Sequence, residues 1–374
     1  MLTFFSVENF MNFRNRIEWD LKKVENYDFN TDVICNGVIS KGLVYGYNGS
    51  GKSNLVLAVF DIIAHLTDNR RHPESYELYT NLNSKKDCAV FEYAFEFDGH
   101  TVLYRYTKKA LDKLVDECLK IDGKTVVSYD FQKRNGEVRL EGAELLQLSS
   151  LNPELSRVKA IKNNALLADN ETNRVFMSFI KFVENMLMFY ALDNRGYQGQ
   201  TMSSRNLYAG IAQSGRLEEF QQLLHDNHID YELVSREVDD KTEIHCKFGD
   251  REVDLVSVAS TGTRALALFF YWFVQMKERS FVFIDEFDAF YHYELSESLV
   301  KLLKKEKKCQ IFLTTHNTDL LSNDLLRPDC YFEINPDAIR PFMDKTDKEL
   351  RKAHNLQRMY KAGAFKYGCH RKDA

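Results

Sequence analysis

Residues 46–53, GYNGSGKS, fit the pattern G-x-x-x-x-G-K-[ST], and no other stretch restricts the fold of this chain as tightly. Glycines at those positions let the backbone curl until successive N–H groups point at one anion, which requires a strand before the loop and a helix after it. Both are legible. "GLVYG" is a short apolar run that reads as the strand, and "KSNLVLAVFDIIAHL" carries apolar residues at helical spacing. The helix starts at its positive dipole end, which favours the anion further. A strand–loop–helix of this kind points to an α/β fold with parallel strands. It makes Gly46, Asn48, Gly49, Ser50, Gly51, Lys52, Ser53 and Asn54 the candidate nucleotide-binding residues. Lys52 has the reach for the β- and γ-phosphates of a nucleoside triphosphate, and the Ser53 hydroxyl suits Mg²⁺. The alternative for the same letters is a glycine-rich turn that only caps a helix.

Two further segments have the chemistry such a loop needs. "FVFIDE", residues 281–286, is an apolar run ending in two adjacent acids. A carboxylate at the C-terminal end of a buried parallel strand lies at the sheet edge where nucleotides bind. Asp285 is therefore the candidate Mg²⁺ partner, and Glu286 the candidate general base for an attacking water. A strand that simply ends in surface acids is the competing reading. In "IFLTTHNTDLL", residues 311–321, another apolar strand ends at His316, a candidate γ-phosphate sensor. Taken alone, a histidine there would be read as structural or exposed. Ser53 and Asp285 lie much further apart than one strand–helix–strand unit requires, so a large segment separates the two halves of the site.

The rest of the chain divides by character. Residues 1–142 read as strand-rich, with an opening strand pair and hairpin turns expected at Asp98-Gly99, Asp122-Gly123 and Asn135-Gly136. Residues 143–230 read as a helical insertion, and 231–374 as an α/β part that holds the twin acids and His316. No heptad pattern persists over three or four repeats, so no long coiled-coil arm is expected. The net charge of −5 gives no overall attraction to nucleic acid or to an acidic membrane, which leaves only local patches. Two such stretches, 301–308 (KLLKKEKK) and 365–372 (FKYGCHRK), are basic; the first reads most simply as the cationic end of a solvated helix. Seven cysteines without a C-x-x-C, no apolar run of membrane-spanning length and no signal-peptide pattern at the start together predict a cytoplasmic protein.

The phosphate loop, with Asn48 and the Ser-Asn-Leu ending at 53–55, resembles that of ABC-type ATPases of the SMC and break-repair branch. It is more similar still to the overcoming-lysogenization-defect (OLD)-like bacterial ATPases. In those, an opening such as "FSVENFMNFRN" precedes the loop, and the acid motif runs on as in "DEFDAFYHYEL". Asp288, His292 and Leu295 of that extension are kept, and Tyr293 stands where a proline is usual. "ASTGTRAL", residues 259–266, sits where that family places its signature motif. "LLRPDCYFEI" and "LRKAHNLQRMYKAGAF" resemble the C-terminal segments of AbiL-type abortive-infection ATPases. The resemblance is weakest over about 105–230.

This resemblance implies an ABC/SMC-type P-loop ATPase head with ATP and Mg²⁺ as cofactors. It further implies a homodimer with ATP sandwiched between the loop of one protomer and the signature of the other, a higher assembly remaining open. Ser260, Thr261 and Gly262 would serve the partner's γ-phosphate in trans, at a helix start that is equally explained as an ordinary capped terminus. Asp288 matches a position that lines the dimer contact. No glutamine loop is identified; Gln132, Gln147 and Gln198 are weak candidates.

The leading expectation is an ATP-hydrolysing switch of bacterial antiphage defence that signals to a separate nuclease- or toxin-like effector. The stretch after His316 is shorter than the ~100 residues of a typical nuclease domain, so the effector is expected on another polypeptide. DNA or a phage protein stays open as a partner, and a membrane is not expected. An SMC-like repair or chromosome-maintenance ATPase is the alternative; it shares the motifs but should have long arms. A transporter subunit lacks its Leu-Ser-Gly-Gly-Gln signature here, and a non-hydrolysing scaffold would not need Lys52, Asp285 and Glu286 intact.

Overall fold

The structure, a computed structural model, describes residues 1–68, 76–144, 146–152, 154–190, 197–199, 207–239 and 241–365. Two seven-stranded sheets dominate it. One is antiparallel throughout and joins Leu2–Glu8, Ile17–Asp20, Ala89–Phe97, His100–Ala110, Lys113–Ile121, Lys124–Asp130 and Asn135–Val138. The other runs in the order Tyr197–Gly199, Met186–Tyr190, Phe281–Asp285, Gln310–Thr315, Lys41–Tyr45, Tyr331–Asn335, Ala338–Pro341. Its five inner strands are parallel and its two edges antiparallel. The sequence patterns differ accordingly. Ala89–Phe97 alternates buried and half-buried residues over most of its length, whereas Lys41–Tyr45, Phe281–Asp285 and Gln310–Thr315 are buried at every position.

Helix Lys52–Leu66 lies between the two sheets, which is why almost every residue in it is buried. On one side the Tyr93 hydroxyl donates to the Ala58 carbonyl, 2.9 Å away; on the other Phe60 packs on Phe281 at 6.1 Å. Trp19, from the antiparallel sheet, packs against Phe283, Phe312 and Phe332 of the parallel one. A third, three-stranded antiparallel sheet (Glu232–Val238, Lys241–Phe248, Arg251–Asp254) precedes helix Thr261–Gln275.

The opening strand pair and the α/β architecture appear as expected. The turns Asp98-Gly99 and Asp122-Gly123 have positive φ at both residues, as two-residue hairpins require. Asn135-Gly136 does not turn: both residues are in a strand, Asn135 opposite Asp130. The reversal comes earlier, because the Asp130 carboxylate accepts the N–H groups of Gln132 and Lys133 and closes an Asx turn there. The helical reading of 143–230 also needs correcting, since two strands, Met186–Tyr190 and Tyr197–Gly199, lie within it. Helix Glu171–Glu184 stops at Asn185, whose side-chain amide donates to the Lys181 carbonyl, and Met186–Tyr190 continues as a buried strand parallel to Phe281–Asp285. Periodicity cannot separate a short all-apolar strand from the helix it follows.

Among the described residues the longest helices have 15 residues, so no arm-length helix is present. No described helix is long and apolar enough to cross a membrane.

Candidate functional site

Three of the parallel strands bring the candidate residues together. Ile284 pairs with Leu313, and Leu313 with Leu43, so Phe281–Asp285, Gln310–Thr315 and Lys41–Tyr45 end at one edge. The glycine loop leaves that edge after Tyr45, and helix Lys52–Leu66 begins with Gly51 as its cap.

The loop is shaped for close approach. Gly51 has φ 104° and Gly49 φ 78°. A methyl group on Gly46 would lie 2.1 Å from the Ser50 hydroxyl, and one on Gly51 2.5 Å from the Asn12 amide. Lys52 folds back over the loop, its ammonium donating to the Gly46 carbonyl at 2.7 Å and the Tyr47 carbonyl at 3.2 Å. Burial lowers its pKa, and the charges of Asp285, Glu286 and Asp288 act against that shift. Lysine and acids thus share one electrostatic environment. Asn54 turns away to donate to Asn12 Oδ1 at 2.7 Å, tying the first helical turn to the segment after Leu2–Glu8. Asn48, Gly49 and the half-buried Ser53 complete the loop, and the Ser50 hydroxyl is buried without a hydrogen-bond partner.

Asp285 is fully buried. Burial raises its pKa, and the hydroxyls of Ser53 and Thr314 and the charge of Lys52 pull it back. Oδ1 accepts from Thr314, while Oδ2 is buried without a hydrogen-bond partner. An unsatisfied carboxylate oxygen near a serine hydroxyl is a donor set for a hard divalent cation, so these residues fit Mg²⁺. Glu286 follows with φ 50°, a left-handed conformation that breaks the strand at this point. Asp288 is also buried and raised in pKa by burial; it accepts from Thr315 Oγ1 at 2.8 Å, which gives its side chain a partner inside the chain. His316 directly follows strand Gln310–Thr315 and is exposed, within electrostatic reach of Asp288.

Ser260 caps helix Thr261–Gln275: its Oγ accepts the Thr263 N–H at 3.1 Å and lies 2.9 Å from Thr263 Oγ1. Ser260 and Thr261 are exposed and Gly262 half-buried. The Tyr291 hydroxyl donates to the Ala265 carbonyl at 2.9 Å, which fixes this helix start to the segment after the acids. Of the glutamines, Gln132 is in the exposed hairpin turn and Gln147 is exposed; the Gln198 side chain lies outside the described residues. In the basic stretch 301–308, the exposed Lys301 pairs with Glu297 as on a solvated helix face, whereas Lys304 is largely covered and donates to Asn30. Residues 366–372 of the other basic stretch lie outside the described residues.

The sequence reading missed Asn12, Thr314 and Thr315. The threonines were visible as a polar pair ending an apolar strand, but only the sheet register places them beside the acids. A cavity of about 390 Å³ adjoins the loop, lined by Met11, Asn12, Asn54, Leu78, Asn81 and Leu82, among others.

No curated protein matches the chain. Among solved structures, the SMC head domain from Thermotoga maritima is 17% identical, covering 91% of this chain and 98% of its own, with a TM-score of 0.43. An SmcHead bound to the C-winged helix domain of ScpA is 14% identical (91% and 96% covered, TM-score 0.47). The Smc head with an extended coiled coil, bound to the C-terminal domain of ScpA derived from Pyrococcus furiosus, is 11% identical (91% and 95%, TM-score 0.42). The family model described as "AAA domain, putative AbiEii toxin, Type IV TA system" matches residues 43–322, which run from the loop strand past the twin acids to just beyond His316, and the chain belongs to that family.

Proposed function

We propose that the chain is an ATP-binding and ATP-hydrolysing switch that closes as a homodimer and signals to a separate effector in antiphage defence. The observation that carries the reading is the meeting of Lys52, Ser53, Asp285 and Glu286 at one sheet edge. Lys52 exchanges the carbonyls of Gly46 and Tyr47 for the β- and γ-phosphate oxygens, while the loop N–H groups hold the rest of the triphosphate. Ser53 and Asp285 hold Mg²⁺, which when bound neutralises phosphate charge. Glu286 accepts a proton from the attacking water, whose oxygen bonds to the γ-phosphorus as the bond to ADP breaks. His316 hydrogen-bonds the γ-phosphate. The cavity beside the loop, lined by asparagine side chains, Met11 and the exposed Leu78 and Leu82, suits the planar heterocycle of the nucleoside.

In the closed dimer, Ser260, Thr261 and Gly262 of a second copy offer a hydroxyl and N–H groups to the same γ-phosphate, and the segment around Asp288 lines the contact. Bound ATP therefore favours closure, and hydrolysis releases it. A setting in defence is supported by the family description, whose words are toxin and TA system.

The test is phosphate release by purified protein with ATP and Mg²⁺. Lys52→Ala should lose ATP binding; tight binding by this variant overturns the site. Glu286→Gln should bind ATP, lose about 10²- to 10⁴-fold in turnover and accumulate as a dimer in light scattering. Parental turnover by it would mean another base. The same variant, used as bait in phage-challenged cells, should retain the effector.

A further inference from the structure

Thr314 occupies an unusual position. It is fully buried near the end of strand Gln310–Thr315, and its hydroxyl connects to the Asp285 carboxylate that ends the neighbouring strand and to the backbone of Glu286 just after it. The Glu286 N–H donates to Thr314 Oγ1 at 2.8 Å. A hydroxyl has one proton, and with the amide already donating to its oxygen, that proton goes to Asp285 Oδ1. The Thr314 carbonyl also accepts the N–H of Phe287 at 3.1 Å. Glu286 is the residue at φ 50°, a conformation that is costly for a side-chain-bearing residue and persists only where its surroundings hold it. In a continuing strand, Glu286 would point to the face opposite Asp285; the kink re-aims it, and Thr314 supplies the acceptor for the amide at the kink.

We propose that Thr314 is a positioning residue: its single hydroxyl orients the metal-binding carboxylate of Asp285 and anchors the backbone turn that presents Glu286. This rests on the roles given to those two acids above. Thr315 makes a parallel but separate link to Asp288, so the two neighbouring threonines serve different acids. Partners one bond removed from a metal ligand typically change metal affinity or activity by about 10- to 100-fold when removed.

The test compares Thr314→Val, which keeps the shape and removes the hydroxyl, with Thr314→Ser, which keeps the hydroxyl, and with Thr315→Val as a control at the same strand end. Amide hydrogen exchange of the free protein is the first readout. The segment 286–287 should lose protection about tenfold or more in Thr314→Val and keep it in Thr314→Ser. The second is titration with Mg²⁺ at saturating ATP. Thr314→Val should raise the half-saturating Mg²⁺ concentration and lower kcat, each by about 10- to 100-fold, while affinity for metal-free ATP shifts less than about threefold. Thr314→Ser should stay within about threefold of the parent on every measure, and Thr315→Val should leave the Mg²⁺ half-saturation unmoved.

Parental exchange and Mg²⁺ dependence in Thr314→Val overturn the proposal, as does a serine variant as impaired as the valine one. An equal Mg²⁺ shift in Thr315→Val overturns it too, by making the effect general to the strand end. If the parent protein itself shows no Mg²⁺-dependent turnover, the ATPase reading fails and the metal part of the proposal with it. The exchange result still decides whether Thr314 holds the turn.

Discussion

Replacing Lys108 by methionine removes the ammonium that neutralises Asp61 in the middle of the phosphate-loop helix. Both side chains are fully buried, with Lys108 Nζ 2.6 Å from Asp61 Oδ1. Methionine approximates the lysine stem, so the change removes charge more than volume. The carboxylate keeps two phenol donors, Tyr106 at 2.9 Å and Tyr79 at 2.8 Å. Removing one partner of a buried pair costs about 3–5 kcal/mol. Lys108→Met should therefore lose that amount at pH 7, and urea denaturation of parent and variant should show it as a lower midpoint with an unchanged slope. Adding Asp61→Asn removes the stranded charge and should recover about 2 kcal/mol or more. A deficit below about 1 kcal/mol would refute the claim that this ion pair anchors the helix to the antiparallel sheet.

Other outcomes follow from single contacts. Gly51→Ala places a methyl 2.5 Å from the Asn12 amide at φ 104°, so thermal melting should show a loss of at least about 1–3 kcal/mol together with weakened ATP binding. Ser260→Arg should abolish ATP-dependent dimerisation in light scattering while the monomer still binds ATP; unchanged dimerisation rejects a role in trans. Burial lowers the Lys41 pKa to about 8, so between there and the ordinary lysine value the unfolded chain holds a proton that the fold has released. Stability should rise with pH across that window, by up to about 1.4 kcal/mol per unit. In Lys41→Met this rise should disappear from the denaturation midpoints, and an identical pH profile in the two proteins would rule the assignment out.

Much of the fold could be read directly. The loop, the apolar strands before Asp285 and His316, and the Asp-Gly hairpins carry local signals, because glycine placement, run length and alternation are properties of neighbouring residues. Asn135-Gly136 failed because the Asx turn at Asp130 pre-empted it, a competition between two local signals. Met186–Tyr190 failed for another reason. Five apolar residues after an amphipathic helix have no period of their own, and only the partner strand Phe281–Asp285 decides what they become.

By itself, the sequence determined the chemical types available: a lysine on a glycine loop, a serine beside it, twin acids and a histidine at strand ends. Those depend on residues close together in the chain. The tertiary structure alone decided which groups meet, since the order of strands in a sheet is set by long-range burial rather than by local preference. It placed Thr314 against both acids, turned Asp288 inward to Thr315, bound Asn54 to Asn12 and buried the Asp61–Lys108 pair beneath the loop helix. Each of these joins residues at least 27 positions apart in the chain, beyond the range of any local pattern.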